Sequence, residues 1–136
     1  MVSGSEEDLI RGCIAALNSG DVAGYLAGFS PDALRWVDGL DTPLTLSDVR
    51  ESLSQMVMAF DRLHLQEDLL FGCSGHACAR WTLRGVHTGV YGGIAPTHRE
   101  IDVQTCEVYA VVGDRITESR VYGDALGVFT QLSGDR

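Results

Sequence analysis

Residues 77–87, ACARWTLRGVH, decide the fold class of this chain. Their apolar and polar side chains alternate, which is the period of a β-strand with one buried face. Three more segments alternate in the same way, and turn signals at 72–75 and 113–115 predict hairpins. The second half of the chain is therefore predicted to form four antiparallel strands. The other three segments are Leu63 to Phe71, Ile101 to Val112 and Ile116 to Tyr122.

The first half of the chain has helical periodicity instead. Apolar residues recur every three or four positions, which predicts amphipathic helices. Asp21 is a natural N-cap for the second helix, Ser30-Pro31-Asp32 ends it, and Asp124 is a candidate cap for a C-terminal helix. The predicted helices span residues 6–18, 22–29, 47–60 and 126–132, and a short strand spans 33–38.

Helices that are separated along the chain from a run of strands favour the α+β class with an antiparallel sheet. We expect a single domain over residues 1–136, with no internal repeat or linker. Three helices would wrap the curved sheet into a cone-shaped barrel that encloses a pocket. Such concave, mostly apolar spaces are where small molecules usually bind.

Charge and composition exclude several classes of partner. The net charge is −9 and the ten Lys and Arg residues are scattered, so nucleic acid and anionic membranes would be repelled. No run approaches the roughly 18 apolar residues of a membrane helix, and the acidic N-terminus is unlike a signal peptide. We expect a cytoplasmic protein whose partner is a small hydrophobic molecule.

Carboxylates and a histidine at inward strand positions are the candidate catalytic groups. Burying a charge is costly unless it is paired, so an acid among apolar neighbours often serves as a proton donor or acceptor. Alternation places Glu107 on the inward face of its strand. In the strand that contains Trp81, the same alternation places His87 on the inward face. Glu67 interrupts an apolar face, and Asp38 ends the short first strand.

Each of these candidates also has a structural explanation. Asp38 precedes Gly39 and can simply cap a turn. Glu67 can lie at a bulge that turns it outward, and His87 can be a hydrogen-bonded core residue.

Glu107 is the best single candidate, although a structural ion pair with Arg120 or Arg99 would explain it equally well. Aromatic and small residues at inward or neighbouring positions are candidate walls of a substrate pocket. These candidate binding residues are Trp36, Trp81, Tyr109, Ser119 and Val121.

No motif for a metal or a cofactor is present. The four histidines lie at unrelated positions, a pattern that does not favour a metal site. Dinucleotide, Walker-type and Gly-x-Ser-x-Gly motifs are absent. We therefore expect acid–base chemistry with neither metal nor cofactor.

Four short segments resemble the SnoaL-like polyketide cyclases, and the resemblance extends over nearly the whole chain. They are 18–21 (NSGD), 84–89 (RGVHTG), 93–97 (GIAPT) and 112–118 (VGDRITE), followed by Asp124 and Gln131-Leu132. The resemblance implies a cone fold like that of nuclear transport factors and ketosteroid isomerases. It also implies cofactor-free aldol ring closure on a polyketide in antibiotic biosynthesis, and a homodimer formed through the outer face of the sheet.

The chain departs from this family at the acid–base position. The family's Asp falls at Val121 and its neighbouring His at Glu107, and valine cannot transfer a proton. The primary hypothesis is a cyclase in which Glu107 is the main acid or base, His87 and Asp38 are polar partners and Glu67 is in reserve. One alternative is epoxide opening by Asp38 and Glu67. Another is a non-catalytic binding or dimerisation module, since fold alone does not determine function.

Overall fold

The computed structural model describes residues 5–123 and 125–133, which form four helices and five strands. Their order along the chain is the predicted one, and Asp124, a candidate cap, lies outside the described residues. The elements are α1 (Ser5–Asn18), α2 (Val22–Leu26), β1 (Phe29–Val37), α3 (Leu46–Ala59), β2 (Phe60–Cys73), β3 (His76–His87), β4 (Glu100–Val112), β5 (Arg115–Gly123) and α4 (Ala125–Ser133).

The five strands form one curved sheet in the order β1-β5-β4-β3-β2. Strands β2 to β5 are an antiparallel meander, as predicted, whereas β1 joins β5 in parallel. The edge strands β1 and β2 are not paired with each other in the described part of the chain, so the expected barrel is an open sheet. Register shifts near Asp61 and Glu67 mark bulges in β2, which bend the strand around the helices.

Strand β1 begins earlier than predicted and shortens the second helix. Helix α2 ends at Leu26, and Phe29 already pairs with Ile116 of β5. Pro31 is tolerated inside β1 because this strand lies at the sheet edge. On the open side of an edge strand a backbone N–H has no neighbouring strand to bond, so proline costs no ladder hydrogen bond there. The predicted helical position of Phe29 is therefore wrong, although its side chain is buried.

Side-chain caps set the start of two helices beside the pocket. The carboxylate of Asp21 accepts a hydrogen bond from the Gly24 amide at 2.8 Å, which confirms the predicted cap of α2. Helix α3 begins at Leu46 because Thr45 and Asp48 form a reciprocal capping box. The predicted start at residue 47 is therefore one residue late.

The core has two parts along the inner face of the sheet. The larger one packs α1 and α2 around Trp81, and the smaller one packs α4 on Ile101 of β4. The Gln131 side chain fastens α4 to β4, accepting from the Asp102 amide at 2.8 Å and donating to its carbonyl at 2.9 Å. Within residues 5–123 and 125–133, no helix is long and apolar enough to cross a membrane.

Candidate active site

A cavity of about 100 Å³ lies between the inner face of the sheet and helices α1, α2 and α3. Its wall is mostly apolar, and several lining side chains are half-buried, which places them at the rim. Asn18 closes one side by bonding the backbone of Leu65 through both its oxygen, at 2.8 Å, and its nitrogen, at 3.1 Å. The lining residues are Leu17, Asn18, Tyr25, Arg35, Leu53, Met56, Leu63, Leu65, Leu83 and Glu107.

Larger depressions lie elsewhere on the molecule, and two of them have volumes of about 250 and 190 Å³. The first is lined by exposed charged residues that include Arg62, Arg84 and Glu100. The second surrounds Trp36 and Asp38 at the end of β1. Their charged or exposed linings give less shelter from water than the internal cavity, so size alone does not identify the functional site.

The polar end of the cavity is built around Arg35. Its Nη2 donates to Glu107 Oε2 at 3.2 Å and to the Tyr25 hydroxyl, and its Nε lies 3.4 Å from Ser119 Oγ. The side chains of Arg35 and Glu107 are only 14% and 9% exposed, and Tyr25 and Ser119 are buried. A charged pair and two hydroxyls therefore meet inside an otherwise apolar wall.

Electrostatics keep Tyr25 and Arg35 in defined protonation states. Burial raises the pKa of Tyr25 well above its ordinary value, and the nearby Arg35 cation offsets only part of that effect. Burial alone would lower the pKa of Arg35, but Tyr25 and Glu107 outweigh it and the pKa is raised. At neutral pH the site therefore holds a guanidinium cation and a neutral phenol.

Glu107 is the predicted candidate that the structure places at the cavity. It is buried, as strand alternation predicts, and lines the pocket. Its cationic partner is Arg35, not Arg120 or Arg99 as the sequence suggested. Arg120 instead lies over the ring of Trp36 on the other side of the sheet.

Arg35 lines the cavity and is a candidate residue that sequence reasoning missed. Alternation in β1 puts Leu34, Trp36 and Asp38 on one face, and the choice of Trp36 and Asp38 as candidate site residues requires that face to point inward. In the structure Leu34 is exposed, and the Trp36 indole donates to Glu118 at 3.1 Å, whereas Arg35 points into the cavity. The sequence signal for Arg35 was its position as a charged residue between the apolar residues Leu34 and Trp36.

His87 is inward and fully buried, yet it does not line the cavity. Its Nδ1 accepts from the Thr97 amide at 3.1 Å and contacts Thr97 Oγ1 at 3.0 Å, while its Nε2 has no hydrogen-bond partner. Its ring packs on Phe60. Ala79, the partner of Glu107 in the β3–β4 ladder, lies eight residues before His87, or about 26 Å along an extended strand. The two predicted catalytic groups therefore do not converge.

Asp38 and Glu67 are also apart from the cavity. Asp38 is exposed just beyond β1, beside Val121. Glu67 lies at a bulge of β2 and pairs with exposed Arg11 of α1 at 2.9 Å. One explanation considered for Glu67 was a bulge that turns its side chain outward, and the structure shows that arrangement. The two carboxylates share no pocket, so the epoxide-opening hypothesis lacks geometric support.

The predicted wall residues are divided between the core and the surface. Trp81 and Tyr109 are fully buried and joined by a 3.3 Å hydrogen bond from the indole to the phenol oxygen. Ser119 contacts Arg35, so it supports the polar end of the cavity. Trp36 and Val121 line the second surface depression instead.

In the part of the chain that the structure describes, no three His, Cys, Asp or Glu side chains are grouped to hold a metal ion.

The fold and this pocket define the class of protein: a cone-shaped α+β domain with an internal cavity. A sequence model of the SnoaL-like polyketide cyclases matches residues 7–132. The chain therefore belongs to the SnoaL-like polyketide cyclase family, and the resemblance seen in its motifs is confirmed. No curated protein matches the chain significantly.

Solved structures show the same architecture. AclR, a proposed hydroxylase from Streptomyces galilaeus, superposes with a TM-score of 0.90 at 19% identity, over 99% of this chain and 100% of that one. IdmH, a proposed polyketide cyclase from Streptomyces antibioticus, gives 0.81 at 22% identity, over 93% and 97%. A Catenulispora acidiphila protein with a ketosteroid isomerase-like fold gives 0.76 at 14% identity, over 95% and 94%. At these identities the likeness establishes the fold.

Proposed function

We propose that this chain is a tailoring enzyme that closes or isomerises a ring in a polyketide-like molecule by acid–base chemistry. The observation that carries the proposal is the meeting of Glu107, Arg35 and Tyr25 at the polar end of an apolar cavity. A carboxylate beside fixed hydrogen-bond donors is the arrangement that proton abstraction next to a carbonyl requires.

In this proposal Glu107 takes a proton from the carbon beside a substrate carbonyl. The electron pair moves onto the carbonyl oxygen, and the Arg35 guanidinium stabilises the resulting enolate. The enolate carbon then attacks a second carbonyl, forming the ring bond, and the new alkoxide recovers the proton from Glu107. Tyr25 and Ser119 hold Arg35 in place, so they act as positioning residues.

The volume of the cavity limits how much substrate it encloses. Pockets for drug-sized ligands have about 300–1,000 Å³, whereas this one has about 100 Å³. We therefore propose that the reacting ring enters and the remainder rests on the rim. Half-buried Leu53, Met56 and Leu63 supply an apolar surface there.

The test measures deuterium exchange into the α-carbons of cyclohexanone in D₂O by NMR. Wild-type protein should accelerate the exchange, and Glu107→Gln should reduce that acceleration by about 10²–10⁴-fold, since it removes the base. Glu67→Gln is the matched control, because it removes a surface carboxylate, and it should stay within about twofold of wild type. Glu107→Asp, which keeps the charge, should retain measurable exchange.

Two outcomes would contradict the proposal. Equal losses in Glu67→Gln and Asp38→Asn would return the chemistry to the epoxide-opening pair. No acceleration by the wild type would favour a non-catalytic binding module. That second candidate has an observation of its own, since Glu107 is already neutralised by Arg35 within an apolar wall.

We also propose that the protein is a homodimer joined through the outer face of the sheet. The outward residues Cys106, Val108 and Ala110 of β4 form a half-buried, weakly polar strip, and Arg80 and Arg120 border it. Light scattering should give twice the monomer mass, and Val108→Glu should convert the protein to monomers. A monomeric wild type would overturn this proposal.

The proposed setting is a cytoplasmic step of antibiotic biosynthesis.

A further inference from the structure

The Arg35–Glu107 ion pair leaves one carboxylate oxygen and one guanidinium nitrogen without a hydrogen-bond partner among the described residues. Oε2 of the carboxylate accepts from Nη2, but Oε1 and Nη1 have no hydrogen-bond partner among the described residues. Neither atom is among the polar atoms that are sealed from solvent without a partner, which are Glu7 Oε1 and His87 Nε2. One acceptor and one donor, on two residues that line the cavity, are therefore accessible to solvent.

We propose that these two atoms bind the edge of a neutral ring that carries a hydrogen-bond donor beside an acceptor, such as an enol beside a carbonyl. The ligand donor would bond Glu107 Oε1, and the ligand acceptor would take a bond from Arg35 Nη1. This proposal rests on the site of the proposed function and names the group that it recognises.

The charge of the site selects a neutral ligand. Arg35 and Glu107 balance each other, and apolar side chains such as Leu65 and Leu83 form much of the remaining wall. An anionic ligand would meet the Glu107 carboxylate and a cationic one would meet Arg35, with little water to screen either repulsion. A neutral edge satisfies both open atoms without adding charge.

The size of the site selects a single small ring. An engineered apolar cavity of about 150 Å³ in another protein holds benzene. The cavity here, of about 100 Å³, is smaller and partly open at its rim, so it matches one five- or six-membered ring. Contacts to Tyr25 and Ser119 fix the guanidinium before a ligand arrives, which lowers the entropy cost of binding.

The test compares four ring-sized probes by NMR titration of the isotope-labelled wild-type protein. The lactam 2-piperidone offers N–H beside C=O, N-methyl-2-piperidone lacks the donor, cyclohexanone offers only an acceptor, and cyclohexanecarboxylate is an anion. We expect 2-piperidone to bind about 10-fold or more tightly than the other three, because each of them loses a bond to a charged group. Tighter binding of the carboxylate, or equal binding of the two lactams, would overturn the proposal.

A substitution at Glu107 should abolish this preference. In Glu107→Gln the amide oxygen would face the Arg35 donor, which leaves the NH₂ group directed at the ligand. The variant should then lose the advantage of 2-piperidone over its N-methyl form, whereas Glu67→Gln should keep it. If Glu107→Gln does not fold, the wild-type probe series alone decides the matter.

The two proposals fail in different ways. Lactam selectivity without deuterium exchange would leave the recognition intact and make the protein a binding module. Exchange without lactam selectivity would retain the enzyme and refute the two-point recognition. The NMR shifts of residues around Arg35 show in both cases whether the probe occupies this cavity.

Discussion

Glu107 and His87 are both buried on the inner face of the same sheet, and they differ in what they can reach. The Glu107 carboxylate meets Arg35 at the wall of a cavity, with one oxygen still open. The His87 imidazole is sealed by Phe60 and by Thr97, and its free Nε2 faces no solvent. Burial among apolar neighbours therefore does not define a catalytic residue, because access to a ligand is also required.

The largest effect should come from removing one member of the buried pair. Arg35→Met or Glu107→Leu alone leaves an uncompensated charge and should lower the free energy of unfolding by about 3–5 kcal/mol. The double variant restores an apolar wall and should regain most of that loss. Urea denaturation of the four proteins measures this cycle, and additive single losses would show that the two residues do not interact.

A smaller effect is expected at the other buried group. His87→Leu removes the acceptor of the Thr97 amide, so the free energy of unfolding should fall by about 1–3 kcal/mol. Deuterium exchange and 2-piperidone binding should remain at wild-type levels in the folded variant. If His87→Leu lost deuterium exchange while keeping wild-type stability, His87 would take part in the reaction. The difference drawn here between His87 and Glu107 would then be wrong.

The smallest effect concerns alkaline pH. Since burial raises the pKa of Tyr25, the folded chain holds the phenol proton more tightly than the unfolded chain does. The stability that Tyr25 contributes is therefore complete below its ordinary pKa of about 10 and is lost as the pH rises beyond it. Tyr25→Phe should make the decline in unfolding free energy above pH 10 shallower than it is in wild type. If the variant and the wild type declined with the same slope, the account would be contradicted.

Alternation and amphipathic spacing were enough to predict most of the fold. The antiparallel strands have regular inward faces, so Trp81, Glu107 and Tyr109 could be placed from the sequence alone. Prediction failed at irregular strands. The bulge near Glu67 and the register shift after Phe29 break the two-residue period on which facing arguments depend.

The partner of Glu107 could not be derived from the sequence for a topological reason. Arg35 and Glu107 lie 72 positions apart and on opposite sides of β5, because β1 joins the sheet in parallel beyond that strand. Local spacing carries no information about such a pair. The nearby choices, Arg99 and Arg120, were reasonable by sequence distance, but neither is its partner in the structure.

The most direct measurement is a crystal structure of the wild-type protein with 2-piperidone bound. We predict that the lactam lies in the cavity, with its oxygen about 3 Å from Arg35 Nη1 and its nitrogen about 3 Å from Glu107 Oε1. A lactam seated instead beside His87, or in the depression between Trp36 and Asp38, would contradict the claim that the Arg35–Glu107 pair is the functional centre of this protein.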